Sequence, residues 1–164
     1  MSLDVQVITP SHVIWDAPCD ELILPSKDGL LGILSGHASL VTFVTVGVLR
    51  IRFQQVWIPV FVMGGLAQVE YDRVVILVND ACRGDAIDVQ QAQDALEKAQ
   101  DRLTKTLNPK ERWRAEQCLK QAQAELSAAR EFPQPLKVSL PEVSAGGRSR
   151  ASQFPLTFQG FGEL

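Results

Sequence analysis

His37 is the side chain best suited to chemistry, standing in the glycine-flanked stretch Ser35-Gly36-His37-Ala38. An imidazole is the side chain most often used as a general base. A working base also needs a nucleophile to activate and a third group to orient it, and neither lies near His37 in sequence. Only the remote thiol Cys82 would complete an enzyme, and only if folding brought the two together. A contact role for His37 asks for nothing more than exposure. Gly29, Gly32 and Gly36 are spaced like a phosphate cradle, yet no helix start follows them, so they read as turn glycines. Cys19, Cys82 and Cys118 are odd in number and scattered, with no Cys-x-x-Cys and no Cys/His cluster. That pattern excludes a zinc site and a disulfide framework, and predicts three free thiols in a reducing compartment. Cys118, beside Leu119, is positioned to help pack a helix seam.

The balance of the chain narrows the classes further. At 46 % hydrophobic and 21 % charged residues it has the make-up of a soluble globular protein. Its formal net charge of -3 excludes a dedicated nucleic-acid binder, which needs a basic excess. No apolar run approaches the ~18 residues that span a bilayer. The longest, Trp57 to Met63, is strand-sized and broken by Pro59. Met1 to Pro10 carries acidic Asp4 and no basic region ahead of an apolar run, so neither a signal peptide nor an Arg-rich transit peptide is expected.

Residues 1–84 alternate short Val- and Ile-rich runs with turn residues, the rhythm of an antiparallel β-sandwich. Strands are predicted at Leu3–Ile8, Val13–Ala17, Glu21–Leu24, Leu31–Leu34, Phe43–Val46, Val48–Phe53, Val56–Val62, Leu66–Tyr71 and Val74–Val78. The turns between them fall at Lys27-Asp28-Gly29, Gln54-Gln55, Gly64-Gly65 and Asp72-Arg73. No strand pair encloses a helix-length crossover, so parallel pairing is not expected. Asn79 to Asp85 reads as a linker in which Gly84-Asp85 forms a joint.

Residues 85–131 predict two helices folded back on each other. Val89, Ala92, Leu96, Ala99 and Leu103 make one stripe; Ala115, Leu119, Ala122, Leu126 and Ala129 make the other. Steps of three and four average near 3.5, the spacing of a coiled-coil seam. Alanine lets the helices approach closely but buries little apolar area, so the pair is weakly tied down, as suits a moving part. Asp88 with Gln91, and Asn108 with Pro109 and Glu111, predict capped starts and capping boxes. Phe132 before Pro133 ends the second helix. Residues 132–164 hold four of the nine prolines and the Gly146-Gly147 to Ser152 stretch, and are expected to be an extended or disordered tail; Phe154, Leu156, Phe158 and Phe161 are its candidate docking residues. The fold class is therefore α+β: an N-terminal antiparallel β-sandwich, a C-terminal antiparallel two-helix hairpin and an extended tail.

The combination resembles a known family. Asp28-Gly-Leu-Leu-Gly-Ile-Leu-Ser-Gly-His-Ala-Ser-Leu40, Gly47-Val-Leu-Arg-Ile51, Met63-Gly-Gly65 and Leu77-Val-Asn-Asp-Ala81, followed by an alanine-rich hairpin, are similar to the epsilon subunit of the rotary ATP synthase. Trp15-Asp16 and Leu77-Val-Asn-Asp-Ala81 resemble its chloroplast and cyanobacterial branch most. The resemblance runs from Met1 to about Glu131. It implies a central-stalk rotor subunit with no catalytic residue and no cofactor of its own. Its implied partners are the gamma subunit, the c-ring and, transiently, the α/β hexamer, with no nucleic acid and with membrane contact only through the c-ring. It implies a peripheral location on the stromal side of the thylakoid membrane, or the cytoplasmic face of a bacterial or cyanobacterial membrane. The hairpin would either fold on the sandwich or extend along gamma and restrain ATP hydrolysis.

Site residues follow from the same resemblance. Gly29, Leu30, Leu31, Gly32 and His37 would meet gamma and the c-ring; the family often has a polar or acidic residue where Leu30 stands, so that contact would here be apolar. Ile87, Asp88, Gln91 and Ala92 resemble the ATP motif Ile/Leu-Asp-x-x-Arg-Ala of some bacterial members. Gln91 replaces the Arg, and a neutral amide cannot supply the guanidinium's charged fork, so the motif is degenerate. Lys110, Arg112 and Arg114 near the tip, with Arg102 and Lys120, would contact an acidic β-subunit segment. Asp94–Lys98, Asp101–Lys105 and Glu116–Lys120 are spaced to pair along the helices, the plain role of a solvated face. The rival reading keeps the fold and makes the hairpin a static adaptor of another assembly.

Overall fold

The computed structural model describes residues 2–135 and 138–141. Eight strands come first: β1 Leu3–Ile8, β2 Val13–Cys19, β3 Glu21–Ser26, β4 Gly29–Leu34, β5 Leu40–Phe53, β6 Val56–Glu70, β7 Arg73–Val78 and β8 Ala81–Arg83. A 3-10 turn, Gly84–Ala86, leads into helices α1 (Val89–Lys105) and α2 (Pro109–Glu131). The strands run in the order β2-β1-β7-β6-β5-β3-β4, with β8 also on β6. Their neighbours are antiparallel except β1 and β7, which pair in parallel from Asp4↔Arg73 to Ile8↔Leu77. This corrects the expectation of no parallel pair: the crossover is the intervening meander itself, which needs no helix to return the chain.

Two predicted pairs of strands are single long ones. β5 spans 14 residues and β6 spans 15, paired from Leu40↔Val69 to Phe53↔Val56. The sequence suggested breaks because the side that faces the core changes partway. Val44 on β5 faces it with even-numbered phase, Leu49 and Ile51 with odd; on β6 the change runs from Ile58, Val60 and Val62 to Ala67 and Val69. A long, coiled strand pair can line both layers of a sandwich in this way. Gly64-Gly65 is thus no turn but the crossing point, where a Cβ on Gly65 would run into the Leu77 carbonyl oxygen. Gly32 also lies within a strand, opposite Ile23, while Gly29 opens β4 at φ 120. Gln54 and Gln55 form the predicted tight turn; at the next one Tyr71 and Asp72 carry the positive φ values, so Tyr71 leaves the strand.

The core contains Leu3, Val5, Trp15, Leu22, Ile33, Ile51 and Ile76, with Trp15 edge-on to Phe53 at 5.4 Å. At the end of the sandwich holding the β4–β5 loop, Asp72 ties the turns together. Its carboxylate accepts from the Gly36 N–H at 2.6 Å and from the Ser35 hydroxyl at 2.9 Å. The Gly36 bond, then the Ser35 bond, hold its carboxyl below the ordinary carboxylate range.

The hairpin forms as read, with a second packing face added. Ala92 and Ala99 of α1 and Ala115, Ala122 and Leu126 of α2 are buried along the seam. Ala124 and Ala128, four apart on another side of α2, are also buried, against Val48 and Phe61 of the sheet. Asp88 accepts from the N–H groups of Gln90 and Gln91, and Asn108 from that of Lys110. Neither Gln91 nor Glu111 returns the bond, so the caps are single rather than boxes. Cys118 points to solvent and takes no part in the seam. α2 ends where Pro133 requires, with Phe132 extended. Phe132 departs from the tail prediction, because it is buried in the sandwich core. The docking residues Phe154, Leu156, Phe158 and Phe161 and most of the tail lie outside the described residues.

Replacing Gly65 by Ala should destabilise the sandwich by ~3 kcal/mol or more, since backbone must move to admit the methyl; urea unfolding would measure it. For Asp72 the native state binds fewer protons than the unfolded chain, so stability rises with pH through this group's window. The Gly36 tie is complete above the unfolded carboxylate's pKa and is lost as pH falls through the lowered native one. An NMR titration should put the Asp72 midpoint below 3.8, and Asp72→Ala should speed exchange of the Gly36 amide at neutral pH.

Candidate functional site

The sheet's outer face is divided in two. One half, bearing Val48, Phe61 and the partly buried Val46 and Met63, is covered by α2. On the other half, register aligns Phe43, Leu66, Leu77 and Ile8 in a row across β5, β6, β7 and β1. Phe43 is 60 % exposed and Val41, two residues before it on the same side, is exposed too. Ile8, Pro10, Leu66 and Leu77 line a groove of ~350 Å3 beside them. Leu40 to Val44 is apolar on both sides of the strand except at Thr42, so one apolar side is left facing solvent. That was the available sign in the sequence, and the prediction of site residues missed it. The arrangement suits an apolar partner surface rather than a polar ligand.

At the sandwich edge Leu30 is 67 % exposed, with Leu34 exposed four residues on along the outermost strand. Leu31, by contrast, packs against the core opposite Leu24, so only part of the predicted glycine segment is available for contact. His37 is half-buried; its N–H donates to the Leu34 carbonyl and its Nδ1 lies 2.7 Å from the Ala38 carbonyl oxygen. Its loop belongs to the Asp72 end of the sandwich. Cys82 sits elsewhere, on β8 opposite Phe61 and beneath α2. Burial first, then Glu125, Asp80 and Asp85, push the Cys82 thiol up, against the activation a nucleophile needs. The His37–Cys82 enzyme reading is not assembled. Among the described residues no group of three or more His, Cys, Asp and Glu is placed to hold a metal.

Where the sandwich meets the hairpin, the predicted loose joint is a tight fit. Arg83 grips Asp85 through two bonds of 2.8 Å each. Gly84 is buried, and a Cβ there would come within 2.5 Å of the Ala128 carbonyl oxygen. Glycine is present because α2 lies that close, not because the chain needs slack. Arg50 meets Glu131 as a fork at 2.8 and 2.9 Å, both partly exposed, a pairing that contributes about 1 kcal/mol or less. Of the degenerate ATP motif, Ile87 packs beside Val48 and Phe61, Ala92 is buried in the seam and Asp88 is occupied as a cap, leaving Gln91 exposed.

At the far end of the hairpin Leu107 is 95 % and Trp113 63 % exposed, both missed by the charge-based prediction. Lys110, Arg112, Arg114, Arg102 and Lys120 are all exposed, as expected of a basic face. Arg112 reaches Glu116 at 3.6 Å. The predicted pairs Asp94–Lys98, Asp101–Lys105 and Glu116–Lys120 do not form; Asp94 accepts from Gln90 instead. No helix among the described residues is long and apolar enough to cross a membrane.

The comparisons with known proteins agree with one another. The family model described as ATP synthase, Delta/Epsilon chain, beta-sandwich domain matches residues 2–84, and the one described as the long alpha-helix domain matches residues 85–130. An ATP synthase epsilon chain of Trichodesmium erythraeum is 48 % identical over 132 residues, covering 79 % of this chain and 96 % of its own. One from Synechococcus elongatus is 46 % identical over 131 residues with the same coverage. The chloroplastic epsilon chain of Gracilaria tenuistipitata is 41 % identical over 129 residues, again 79 % and 96 %. Among solved structures, a chain of the Euglena gracilis mitochondrial ATP synthase OSCP/F1/c-ring assembly superposes with a TM-score of 0.69 at 22 % identity, covering 79 % of this chain and 81 % of that one. A chain of the Tetrahymena thermophila mitochondrial ATP synthase central stalk and c-ring gives 0.57 at 16 %, covering 79 % and 97 %. Those two likenesses carry the fold; the sequence matches carry the descent. The chain belongs to the ATP synthase delta/epsilon family, as an epsilon chain.

Proposed function

We propose that this epsilon chain is a non-catalytic rotor subunit that joins the c-ring to gamma and restrains ATP hydrolysis through its hairpin. The observation that carries the reading is the contrast between the two outer half-faces of the sheet. One presents exposed apolar residues around Phe43 and Val41, suited to a permanent partner, for which we name gamma. On the other, α2 itself meets the sheet through two alanines and a partly exposed ion pair, a small contact for a part that must exchange. Leu30 and Leu34 on the outermost strand are assigned to the c-ring, by apolar rather than ionic contact. His37 belongs to the same interface.

In the released position the hairpin would carry Leu107, Trp113 and the cations Lys110, Arg112 and Arg114 toward an acidic segment of the α/β hexamer. A shift between two positions separated by a few kcal/mol lets proton-motive force or nucleotide state select one of them. The subunit would sit at a membrane surface without entering it: the stromal side of the thylakoid, or the cytoplasmic face in a cyanobacterium. Relatives from both kinds of source support either setting.

Deleting residues 88–164 should leave binding to gamma in place and raise the ATPase activity of the reconstituted complex; equal inhibition by the truncated and full chains would remove the hairpin from the mechanism. The double change V41D/F43D should abolish co-purification with gamma and the c-ring from solubilised membranes. Retention of both partners would direct the interface elsewhere.

A further inference from the structure

Past Glu131 the chain turns back onto the sandwich. Phe132 is only 7 % exposed and belongs to the main core, while Leu140 packs, partly buried, against that same core. The Arg83 guanidinium donates from Nη1 to the Pro141 carbonyl at 3.4 Å while its other nitrogens hold Asp85. A Cβ on Gly84 would stand 3.2 Å from the Phe132 Cβ, so the chain entering the hairpin and the chain leaving it touch. The family models end at residue 130, and relatives that use 96 % of their own length match 79 % of this chain. Phe132, Leu140 and Pro141 therefore lie beyond the stretch matched by the family models.

We propose that these residues form a clasp that keeps the hairpin seated on the sandwich, with Phe132 as its pin and Leu140 and Pro141 as its second anchor. Phe132 directly follows the last residue of α2. Lifting α2 from Gly84 must therefore draw its ring out of the core. Contacts that exist in only one of two positions shift the population toward that position by their full worth. Ala124 and Ala128 alone form a small contact; an added buried aromatic makes it much harder to open. Resting on the function proposed above, the clasp opposes the brake: it holds the chain in the position that leaves hydrolysis unrestrained.

Cys82 reports on this without any partner, because it is partly buried where the sheet packs against α2, and lifting α2 would bare it further. In a Cys118→Ser background, which removes the exposed thiol, the alkylation rate of Cys82 in the free full-length chain rises above its seated-state value as α2 lifts more often. Phe132→Ala and, separately, Leu140→Asp should raise that rate by about tenfold or more. Cys19, deep in the sandwich, should stay unreactive and so certify that the base is intact. An unchanged Cys82 rate in both variants would overturn the clasp. Should Phe132→Ala expose Cys19 as well, Leu140→Asp decides by the same criterion. In reconstituted enzyme the clasp variants should inhibit hydrolysis more than the parent, opposite to loss of the hairpin. The thiol result stands or falls whether or not the chain inhibits anything, so the two readings fail separately.

Discussion

How closely α2 can lie against the sandwich is set by residues with little or no side chain. Gly84 on one side and Ala124 and Ala128 on the other let the helix backbone come within van der Waals reach of the turn after β8 and of the sheet behind it. Close approach of this kind fits well and buries little, so it gives a defined position with a modest hold. Larger residues would either push the helix away or fasten it. The same economy rules the seam between α1 and α2, where buried alanines outnumber leucines. Position without much adhesion is what a part with two resting places requires.

The rigid half is built on the opposite terms. β5 and β6 run unbroken through both layers, and large aliphatic residues fill the space between them. Their crossing depends on Gly65 meeting the Leu77 carbonyl, one backbone against another. Because the strands exchange their inner and outer sides there, one outer half-face is covered by α2 and the other stays exposed around Val41 and Phe43. A continuous strand pair connects the two surfaces, so whatever binds at Phe43 is anchored in the same body that seats the hairpin.

Much of this was legible in the residues. The seam spacing, the caps at Asp88 and Asn108 and the stop before Pro133 fixed the hairpin, since those signals are local. The long strands look like pairs of short ones because the phase of alternation reverses between Val44 and Val46 and at Gly64-Gly65, and a phase reversal looks like a break. Parallel pairing of β1 and β7 joins residues far apart in sequence and leaves no local trace. Gly84 reads as slack in the sequence but marks a close approach to Ala128; one glycine has the same letter in either role. Of the site, charged tip residues stand out by composition, whereas Val41, Phe43, Leu107 and Trp113 are ordinary apolar letters until the fold leaves them facing water. Phe132 opens the proline-rich stretch that reads as tail, with Pro133 and Pro135 just after it, yet its side chain is buried in the core.

The central claim is that the hairpin and its base are separate cooperative units, the hairpin being the one that opens first. Native-state amide hydrogen exchange on the free chain tests it most directly. Amides within α1 and α2 should exchange through an opening at least ~2 kcal/mol easier than that of the amides in β6 and β7. A single opening energy shared by helices and strands would mean that hairpin and sandwich unfold as one, and would contradict the account.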